Sequence, residues 1–237
     1  MQLCLALDLA SEEENLKLLD KLKDFSKLWV KVGLRSFIRD GQGLLSKIKM
    51  INPNFKIFLD LKLYDIPNTM ADAVESCANL GIDMITIHTS SGREAMKTLM
   101  QRLQTIEAST HKKRPLVFGV TALTSFDDQG FSEIYHNTIQ EQASSLGKIA
   151  YESRLDGVVC SVFESLQIKN VTHSSFLTLT PGIRPFNEDA HDQKRVATIL
   201  DAKKNCSDFI VVGRPIYQSK TPKEVVQKIL EEIQGEN

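Results

Sequence analysis

The sequence predicts an α/β protein built as a closed (β/α)₈ TIM barrel. Eight short apolar runs, rich in β-branched residues and bounded by turn residues, alternate with eight longer amphipathic segments. Strict alternation of strands and helices is typical of a parallel sheet, and eight repeats in 237 residues match a closed barrel better than an open doubly wound sheet. Because no linker or low-complexity segment divides the chain, we expect a single domain over residues 1–237.

The predicted strands are short, as buried parallel strands are, and their interiors are almost wholly apolar. They cover Leu3–Asp8, Leu28–Gly33, Lys56–Lys62, Asp83–His88, Pro115–Thr121, Asp156–Ser161, Phe176–Thr180 and Asp208–Gly213.

One predicted helix follows each strand. The first opens with Ser11 and three glutamates, which is a serine cap with carboxylates at the positive end of the helix dipole, so we interpret these acids as structural. The predicted helices cover Ser11–Asp24, Ser36–Met50, Asn68–Leu80, Gly92–Ala108, Ser132–Leu155, Val162–Lys169, Asp192–Lys204 and Thr221–Glu232.

Composition excludes several functional classes. The chain has 29 basic and 30 acidic residues and a net charge of -1, so no overall field attracts it to nucleic acid or to a membrane. The apolar run Leu3–Leu7 is too short for a signal peptide or a membrane span, and we expect a cytoplasmic protein. Its four cysteines are scattered without metal-ligand spacing, which argues against disulfides and zinc.

Charged residues are expected to converge at the carboxyl ends of the strands, where barrel enzymes have their active sites. A period of two places Asp60 and Lys62 on one face of the third strand, directed into the barrel mouth. Asp8 and Lys31 end other strands, so an alternating Lys-Asp-Lys-Asp array becomes possible, with Asp65 in the following loop. Such an array keeps every member charged without a metal. The alternative is a structural ion pair of Asp60 with Lys62, with Asp65 as a turn residue.

The loops after the last two strands predict a phosphate site. Gly213 permits close backbone approach, and the guanidinium of Arg214 can bind a phosphate through two hydrogen bonds. Arg184 lies in the preceding loop, and a salt bridge at the rim is the alternative for either arginine. His88 ends the fourth strand, where a general base or a hydrogen-bonded barrel residue would fit, and we assign it no catalytic role.

Four motifs carry a resemblance to a known family. They are D-x-K-x-x-D-I-P-N-T at Asp60–Thr69, P-G-I-R at Pro181–Arg184, D-Q-x-R-V at Asp192–Val196 and V-V-G-R-P-I at Val211–Ile216. Together they resemble the orotidine 5'-phosphate decarboxylases over the whole chain. The D-x-K-x-x-D motif alone is shared with sugar-phosphate decarboxylases and aldolases of the same superfamily, whereas the following I-P-N-T and the V-G-R-P-I ending are more selective. Cys206 departs from the pattern by replacing a glycine common in bacterial members.

The resemblance implies roles for individual residues. Lys62 would be the proton donor, and Lys31, Asp60 and Asp65 would complete the charged array, Asp65 entering from the partner subunit of a homodimer. The resemblance also implies three groups of substrate-binding residues. The ribose would be bound by Asp8, Lys31 and Thr69 of the partner chain, and the loop that closes near the pyrimidine would contain Thr121 and Ser125. The phosphate would be bound by Gln193, Gly213 and Arg214, with Arg184 in the preceding loop.

The implied reaction is decarboxylation of orotidine 5'-phosphate to uridine 5'-phosphate in de novo pyrimidine biosynthesis, without a metal or a cofactor. Two alternatives remain open at this point. One is a Mg²⁺-dependent sugar-phosphate decarboxylase or aldolase of the same superfamily, and the other is a non-catalytic nucleotide-binding barrel. An assay on orotidine 5'-phosphate with and without a chelator separates all three.

Overall fold

The computed structural model describes residues 1–186 and 195–235, and within them eight parallel strands close into a barrel in sequence order. Closure is made by β1 and β8, which pair from Gln2 opposite Phe209 to Leu5 opposite Val212. The predicted fold is confirmed. The strands are β1 (Gln2–Ala6), β2 (Trp29–Gly33), β3 (Lys56–Leu63), β4 (Met84–His88), β5 (Leu116–Val120), β6 (Gly157–Val159), β7 (Leu177–Thr180) and β8 (Phe209–Val212).

Helices surround the barrel, and no helix among the described residues is long and apolar enough to cross a membrane. They are α1 (Glu12–Lys21), α2 (Leu34–Asp40), α3 (Gly43–Ile51), α4 (Pro67–Ala78), α5 (Gly92–Thr110), α6 (Asp128–Tyr135), α7 (Ile139–Glu152), α8 (Val162–Val171), α9 (Ile199–Lys204), α10 (Arg214–Tyr217) and α11 (Pro222–Gln234), with a 3₁₀ turn at Thr89–Ser91.

Two predicted helices are each divided in the structure. The helix predicted over Ser36–Met50 is interrupted by Gly41, whose φ of 65° ends α2. The helix predicted over Ser132–Leu155 is interrupted at His136, and Thr138 then caps α7 by accepting from the Glu141 backbone. Both predictions followed the apolar periodicity through a break, because apolar residues recur on both sides of it.

The last part of the chain also differs from expectation. The short helix α10 was not predicted. In the helix predicted over Asp192–Lys204, residues 192–194 lie outside the described residues, and α9 begins at Ile199 behind its cap Thr198. Thr198 and Asp201 form a reciprocal capping box, which fixes this start.

The lower half of the barrel is filled by large side chains. Trp29 and Phe209 begin their strands and pack edge to face at 5.3 Å between ring centroids, and Phe118 packs on Phe209 in the same way at 5.8 Å. Their indole and phenyl rings, with Phe58 and Met84, form an apolar core inside the sheet. Because these side chains fill the barrel interior, we expect a ligand to bind at the carboxyl ends of the strands.

Three aspartates join neighbouring strands at the lower rim. Asp83, Asp156 and Asp208 immediately precede β4, β6 and β8, and each carboxylate accepts a backbone N–H from the strand before it. The donors are Ile57 at 2.9 Å, Val117 at 2.8 Å and Thr178 at 2.8 Å. Each carboxylate also pairs with a cation, from Lys56 at 2.8 Å, Arg114 at 2.7 Å and Lys169 at 2.7 Å. Charge-assisted hydrogen bonds of this kind hold strands in register at the end away from the cavity.

A left-handed residue precedes each of these aspartates by two positions. The three are Gly81 at φ 74°, Arg154 at φ 64° and Cys206 at φ 57°. Only glycine adopts this conformation without steric cost, so the backbone is strained at Arg154 and Cys206.

We therefore expect Cys206→Gly to stabilise the protein. Relief of left-handed strain exceeds the added entropy of the unfolded chain, giving a gain of about 0.5 kcal/mol in the free energy of unfolding. Urea denaturation measures the change. Cys206→Ala is the matched control, because it removes the exposed thiol and keeps the strain.

Gly81→Ala tests the same strain in the opposite direction. A Cβ at Gly81 would meet nothing within 4 Å, so the expected loss of about 1 kcal/mol is a backbone effect alone. Equal free energies of unfolding for Cys206→Gly and Cys206→Ala would contradict the interpretation that the left-handed backbone at Cys206 is strained.

Candidate active site

A cavity of about 620 Å³ opens at the carboxyl ends of the strands. Its floor is apolar, formed by inward residues of the barrel such as Phe58, Val120 and Leu179. Its walls include most of the residues that the sequence predicted for the site, namely Asp8, Lys31, Asp60, Lys62, Ser125, Arg184, Gly213 and Arg214.

Asp60 lies at the centre of the charged residues. Both of its carboxylate oxygens accept from Lys62 Nζ at 2.9 Å, and Lys31 Nζ lies 3.5 Å from Oδ2. Lys31 Nζ is also 3.6 Å from Asp8 Oδ2. The structure thus brings together an alternating series of Lys62, Asp60, Lys31 and Asp8 in one chain.

A local irregularity in β3, and not regular alternation, directs Lys62 toward Asp60. Between Leu59 and Leu63 the register against β4 shifts, since these residues pair with Ile85 and Ile87. Lys62 has a φ of 50°, in the left-handed region that disfavours a side chain. The alternation assumed from the sequence does not hold here, although both side chains do reach the cavity.

Thr86 on β4 fixes this irregular segment. Its hydroxyl donates to Asp60 Oδ1 at 2.8 Å and accepts from the Lys62 backbone N–H at 3.0 Å. The single buried hydroxyl therefore orients the carboxylate and holds the backbone that carries the ammonium. Sequence analysis did not assign Thr86, because the signal was only a threonine inside an apolar strand.

The electrostatics keep Asp60 and Lys31 charged. Burial acts to raise the pKa of Asp60, but the ammonium groups of Lys31 and Lys62 outweigh it and leave that pKa below its usual value. Burial likewise acts to lower the pKa of Lys31, but Asp60 and Asp8 outweigh it, and the net pKa is raised. Each ion offsets the desolvation of its neighbour.

Asp65 and Thr69 do not line the cavity of their own chain. Both are exposed, and Asp65 Oδ1 accepts from the next backbone N–H, that of Ile66, at 2.7 Å. Pro67 follows as the first residue of α4. Within the part of the chain that the structure describes, Asp65 is thus a turn residue ahead of a helix, and its role at Lys62 stays a prediction.

Other predicted site residues have different environments. Thr121 is fully buried and donates to the Val159 carbonyl at 3.0 Å, so it does not reach the cavity, whereas Ser125 does. Gln193 lies outside the described residues. His88 is partly buried, and its ring centroid is 5.9 Å from that of Tyr64. Burial, and secondarily Lys62, lowers the pKa of His88.

The predicted phosphate loops form one wall of the cavity. Gly182 has a φ of 80°, and the segment after it is held by a short parallel bridge between Ile183 and Ala197. At the neighbouring strand end, a Cβ on Gly213 would lie 3.3 Å from the Tyr217 ring, which leaves little space for a side chain. Arg184 is only 7 % exposed. The sequence missed Tyr217, because α10 itself was not predicted.

A third arginine links the loops around the cavity; it belongs to the D-Q-x-R-V motif, but the sequence analysis gave it no role. Arg195 is hydrogen-bonded to the buried carboxylate of Glu164 and donates to the Leu123 carbonyl at 3.3 Å. Glu164 in turn accepts from the Ser161 backbone N–H at 2.9 Å, in a capping box at the start of α8. The S-x-x-E spacing of that box was the available signal. Burial raises the pKa of Glu164, and Arg195 opposes this effect without cancelling it.

A closed barrel whose mouth holds alternating ammonium and carboxylate groups, beside loops suited to phosphate, defines the class of this protein: a (β/α)₈-barrel enzyme. Comparison with known proteins identifies the family. The sequence model of the orotidine 5'-phosphate decarboxylase / HUMPS family matches residues 1–229, and the chain belongs to this family. The resemblance inferred from the motifs is confirmed.

Individual relatives agree with this assignment. Orotidine 5'-phosphate decarboxylase of Sulfurimonas denitrificans is 60% identical over 98% of this chain and 100% of its own. The Helicobacter pylori (strain J99) enzyme of the same name is 58% identical, with the same coverage. The crystal structure of orotidine 5'-phosphate decarboxylase from Lactobacillus acidophilus superposes with a TM-score of 0.85 at 35% identity, covering 99% of each chain.

The charged array makes stability depend on pH in acid. The pKa of Asp60 is depressed in the folded state, so its contribution is present above the unfolded value of about 3.9 and is lost as pH falls through the folded pKa. Relative to Asp60→Asn, the wild-type free energy of unfolding should therefore fall more steeply between about pH 5 and pH 2. Urea midpoints across that range measure it, and parallel curves would contradict the assigned direction.

Proposed function

We propose that this chain decarboxylates orotidine 5'-phosphate to uridine 5'-phosphate in de novo pyrimidine biosynthesis, without a metal or another cofactor. The observation that carries the proposal is the hydrogen bonding of Lys62 Nζ to both oxygens of the buried Asp60, in the wall of a cavity large enough for a nucleotide. Relatives that are about as long as this chain and close to 60% identical to it are named orotidine 5'-phosphate decarboxylase.

The chemistry requires electrostatic stabilisation. When the bond from C6 to the carboxylate breaks, its electron pair stays on C6 in an orbital that the pyrimidine π-system cannot delocalise. The ammonium of Lys62 stabilises this charge and then transfers a proton from Nζ to C6, and the resulting amine regains a proton from water.

Asp60 has two effects in this mechanism. Its carboxylate keeps Lys62 oriented toward the cavity before the substrate binds, which lowers the reorganisation needed in the transition state. It also lies where the substrate carboxylate would be placed, so like-charge repulsion raises the energy of the bound substrate and is released as carbon dioxide leaves.

Phosphate and ribose supply binding energy away from the reacting carbon. We assign the phosphate to Arg214 and Gly213 with Arg184 nearby, and to Gln193 from the sequence motif. Asp8 and Lys31 are assigned to the ribose hydroxyls, and Ser125 to the loop near the pyrimidine, whereas Thr121 is left without a ligand role because its side chain is buried away from the cavity. Such remote binding energy aligns C6 with Lys62 Nζ.

Lys31 favours the metal-free mechanism over a Mg²⁺-dependent one. Its ammonium lies 3.6 Å from Asp8 and 3.5 Å from Asp60, in the position between two carboxylates that a divalent cation would need. Turnover of orotidine 5'-phosphate that is unchanged by a chelator supports the proposal. Loss of turnover on chelation would favour the metal-dependent alternative, and binding of uridine 5'-phosphate without any turnover would favour a non-catalytic barrel.

We further propose a homodimer in which Asp65 and Thr69 complete the partner's site. Both residues are exposed beside large apolar side chains that would otherwise face water, since Tyr64 is 64% and Ile66 67% exposed. Ile38 on α2 is 77% exposed as well. A second copy would cover such apolar area, and Asp65 of one chain would then flank Lys62 of the other.

Lys62→Ala is expected to lower kcat by about 10⁴-fold or more, because it removes both the proton donor and the charge that stabilises the carbanion. The folded variant should still bind uridine 5'-phosphate, measured by calorimetry. Lys23→Ala, a surface change outside the cavity, is the control and should leave kcat unchanged. Near wild-type turnover by Lys62→Ala would overturn the proton-donor assignment.

Subunit exchange tests the shared site. A heterodimer of Lys62→Ala and Asp65→Ala chains has one site lacking both groups and one site with both intact. Mixing the two inactive variants in equal amounts should therefore restore about a quarter of wild-type specific activity, since half of the dimers are mixed and each has one complete site.

Lys62→Ala mixed with Asp60→Asn is the matched control. Both residues serve the site of their own chain, so no mixed dimer gains a complete site and no activity should return. Absence of recovery with Asp65→Ala, in verified heterodimers, would show that Asp65 does not cross the interface.

A further inference from the structure

The loop from β1 to α1 carries Asp8 and is held almost entirely by side chains of other elements. Ser36 Oγ donates to the Leu7 carbonyl at 2.8 Å, and Arg35 Nη1 donates to the Asp8 carbonyl at 3.2 Å. Asn15 Oδ1 accepts from the Leu9 N–H at 3.3 Å. Ser36 and Asn15 are fully buried and hydrogen-bonded to each other at 3.3 Å.

Arg39 makes the contacts that extend farthest along this loop. Its Nη1 donates to two successive carbonyls, Leu9 at 3.2 Å and Ala10 at 2.5 Å. Its other donors are used by Asp40, since Nε and Nη2 each lie 2.6 Å from one carboxylate oxygen. This bidentate pair fixes the plane of the guanidinium and directs Nη1 at the loop.

The position of Arg39 in the chain connects the loop to the charged array. The helix α2 begins directly after β2, the strand that carries Lys31, and Arg39 lies near the end of α2. Arg39 therefore ties the loop that carries Asp8 to the strand segment that carries Lys31. The distance that this link would maintain is the 3.6 Å between Asp8 Oδ2 and Lys31 Nζ. Arg39 does not line the cavity.

We propose that Arg39 is a positioning residue for the reaction, which holds residues 8–10 so that Asp8 stays against Lys31 and in reach of the ligand. The inference rests on the proposed function and assigns to Arg39 a role exerted only through Asp8. Displacement of a charged group by a fraction of an ångström weakens both its ion pair and its hydrogen bonds to a ligand. A guanidinium can make all four contacts, whereas an ammonium has neither the planar fork nor the reach.

The test is a double-mutant cycle read in kcat/KM for orotidine 5'-phosphate. Arg39→Met should lower kcat/KM about tenfold in the wild-type background. In the Asp8→Asn background the same change should cost less than about twofold, because the group that Arg39 positions has already lost its charge. In the Arg214→Ala background the full tenfold loss should persist. Equal losses in the Asp8→Asn and Arg214→Ala backgrounds, or no loss in any, would overturn the proposal.

Two further variants separate positioning from folding. Arg39→Lys keeps a cation beside Asp40, so it should fold with a urea midpoint near that of the wild type and still lose activity. Arg93→Met removes an equally short surface ion pair, with Glu152 at 2.6 Å, and should leave kcat/KM unchanged. Full activity in Arg39→Lys would show that charge alone suffices and would contradict the positioning role.

Wild-type turnover is measured first, so that the two proposals can fail separately. A wild-type chain that does not decarboxylate orotidine 5'-phosphate contradicts the proposed function. The role of Arg39 is then judged by the same cycle in the dissociation constant of uridine 5'-phosphate. If Arg39→Met weakens binding of uridine 5'-phosphate in the wild-type background but not in the Asp8→Asn background, the positioning role is supported. An equal effect in both backgrounds, or no effect in either, would overturn it.

Discussion

The site depends on one buried carboxylate shared by two ammonium groups. Asp60 is 9% exposed, and a lone carboxylate at such a position would be expected to neutralise itself by taking up a proton. Lys31 and Lys62 prevent this, and Asp60 in turn keeps Lys31 charged inside the barrel. The buried charges of Asp60 and Lys31 therefore depend on each other and on the neighbouring charges of Lys62 and Asp8.

Local backbone geometry is organised around this requirement. The irregular segment of β3 and the left-handed conformation of Lys62 interrupt the hydrogen bonding that a regular strand would have with β4. Thr86 compensates by bonding both the Asp60 carboxylate and the Lys62 backbone. Strain concentrated at a site and supported by its surroundings is a recurrent feature of preorganised active sites.

The two ends of the barrel divide stability from function. At the lower rim, aspartates before β4, β6 and β8 join neighbouring strands and pair with lysine or arginine side chains. Aromatic rings fill the interior at this end. At the upper rim, charged groups face a cavity, and polar side chains such as Arg39 and Arg195 hold the loops. A well-packed lower half is what allows the upper half to retain strained backbone and desolvated charges.

The sequence by itself determined the fold and most of the cavity wall. Alternating short strands and amphipathic helices are local patterns, so the eight strands were found to within two residues at each end, and residues at strand ends such as Asp8 and Gly213 were placed in the cavity by the barrel geometry alone. The family followed from motifs confined to those same strand ends. Only the tertiary structure decided the contacts between residues distant in sequence. Thr86 places its hydroxyl between Asp60 and Lys62, Thr121 is buried away from the cavity, and Arg39 reaches a loop thirty residues earlier. The structure also showed the break after α2. The physical reason is that a side chain's periodicity reports the face on which it lies, whereas its hydrogen-bond partner is set by which strands and loops closure of the barrel brings together.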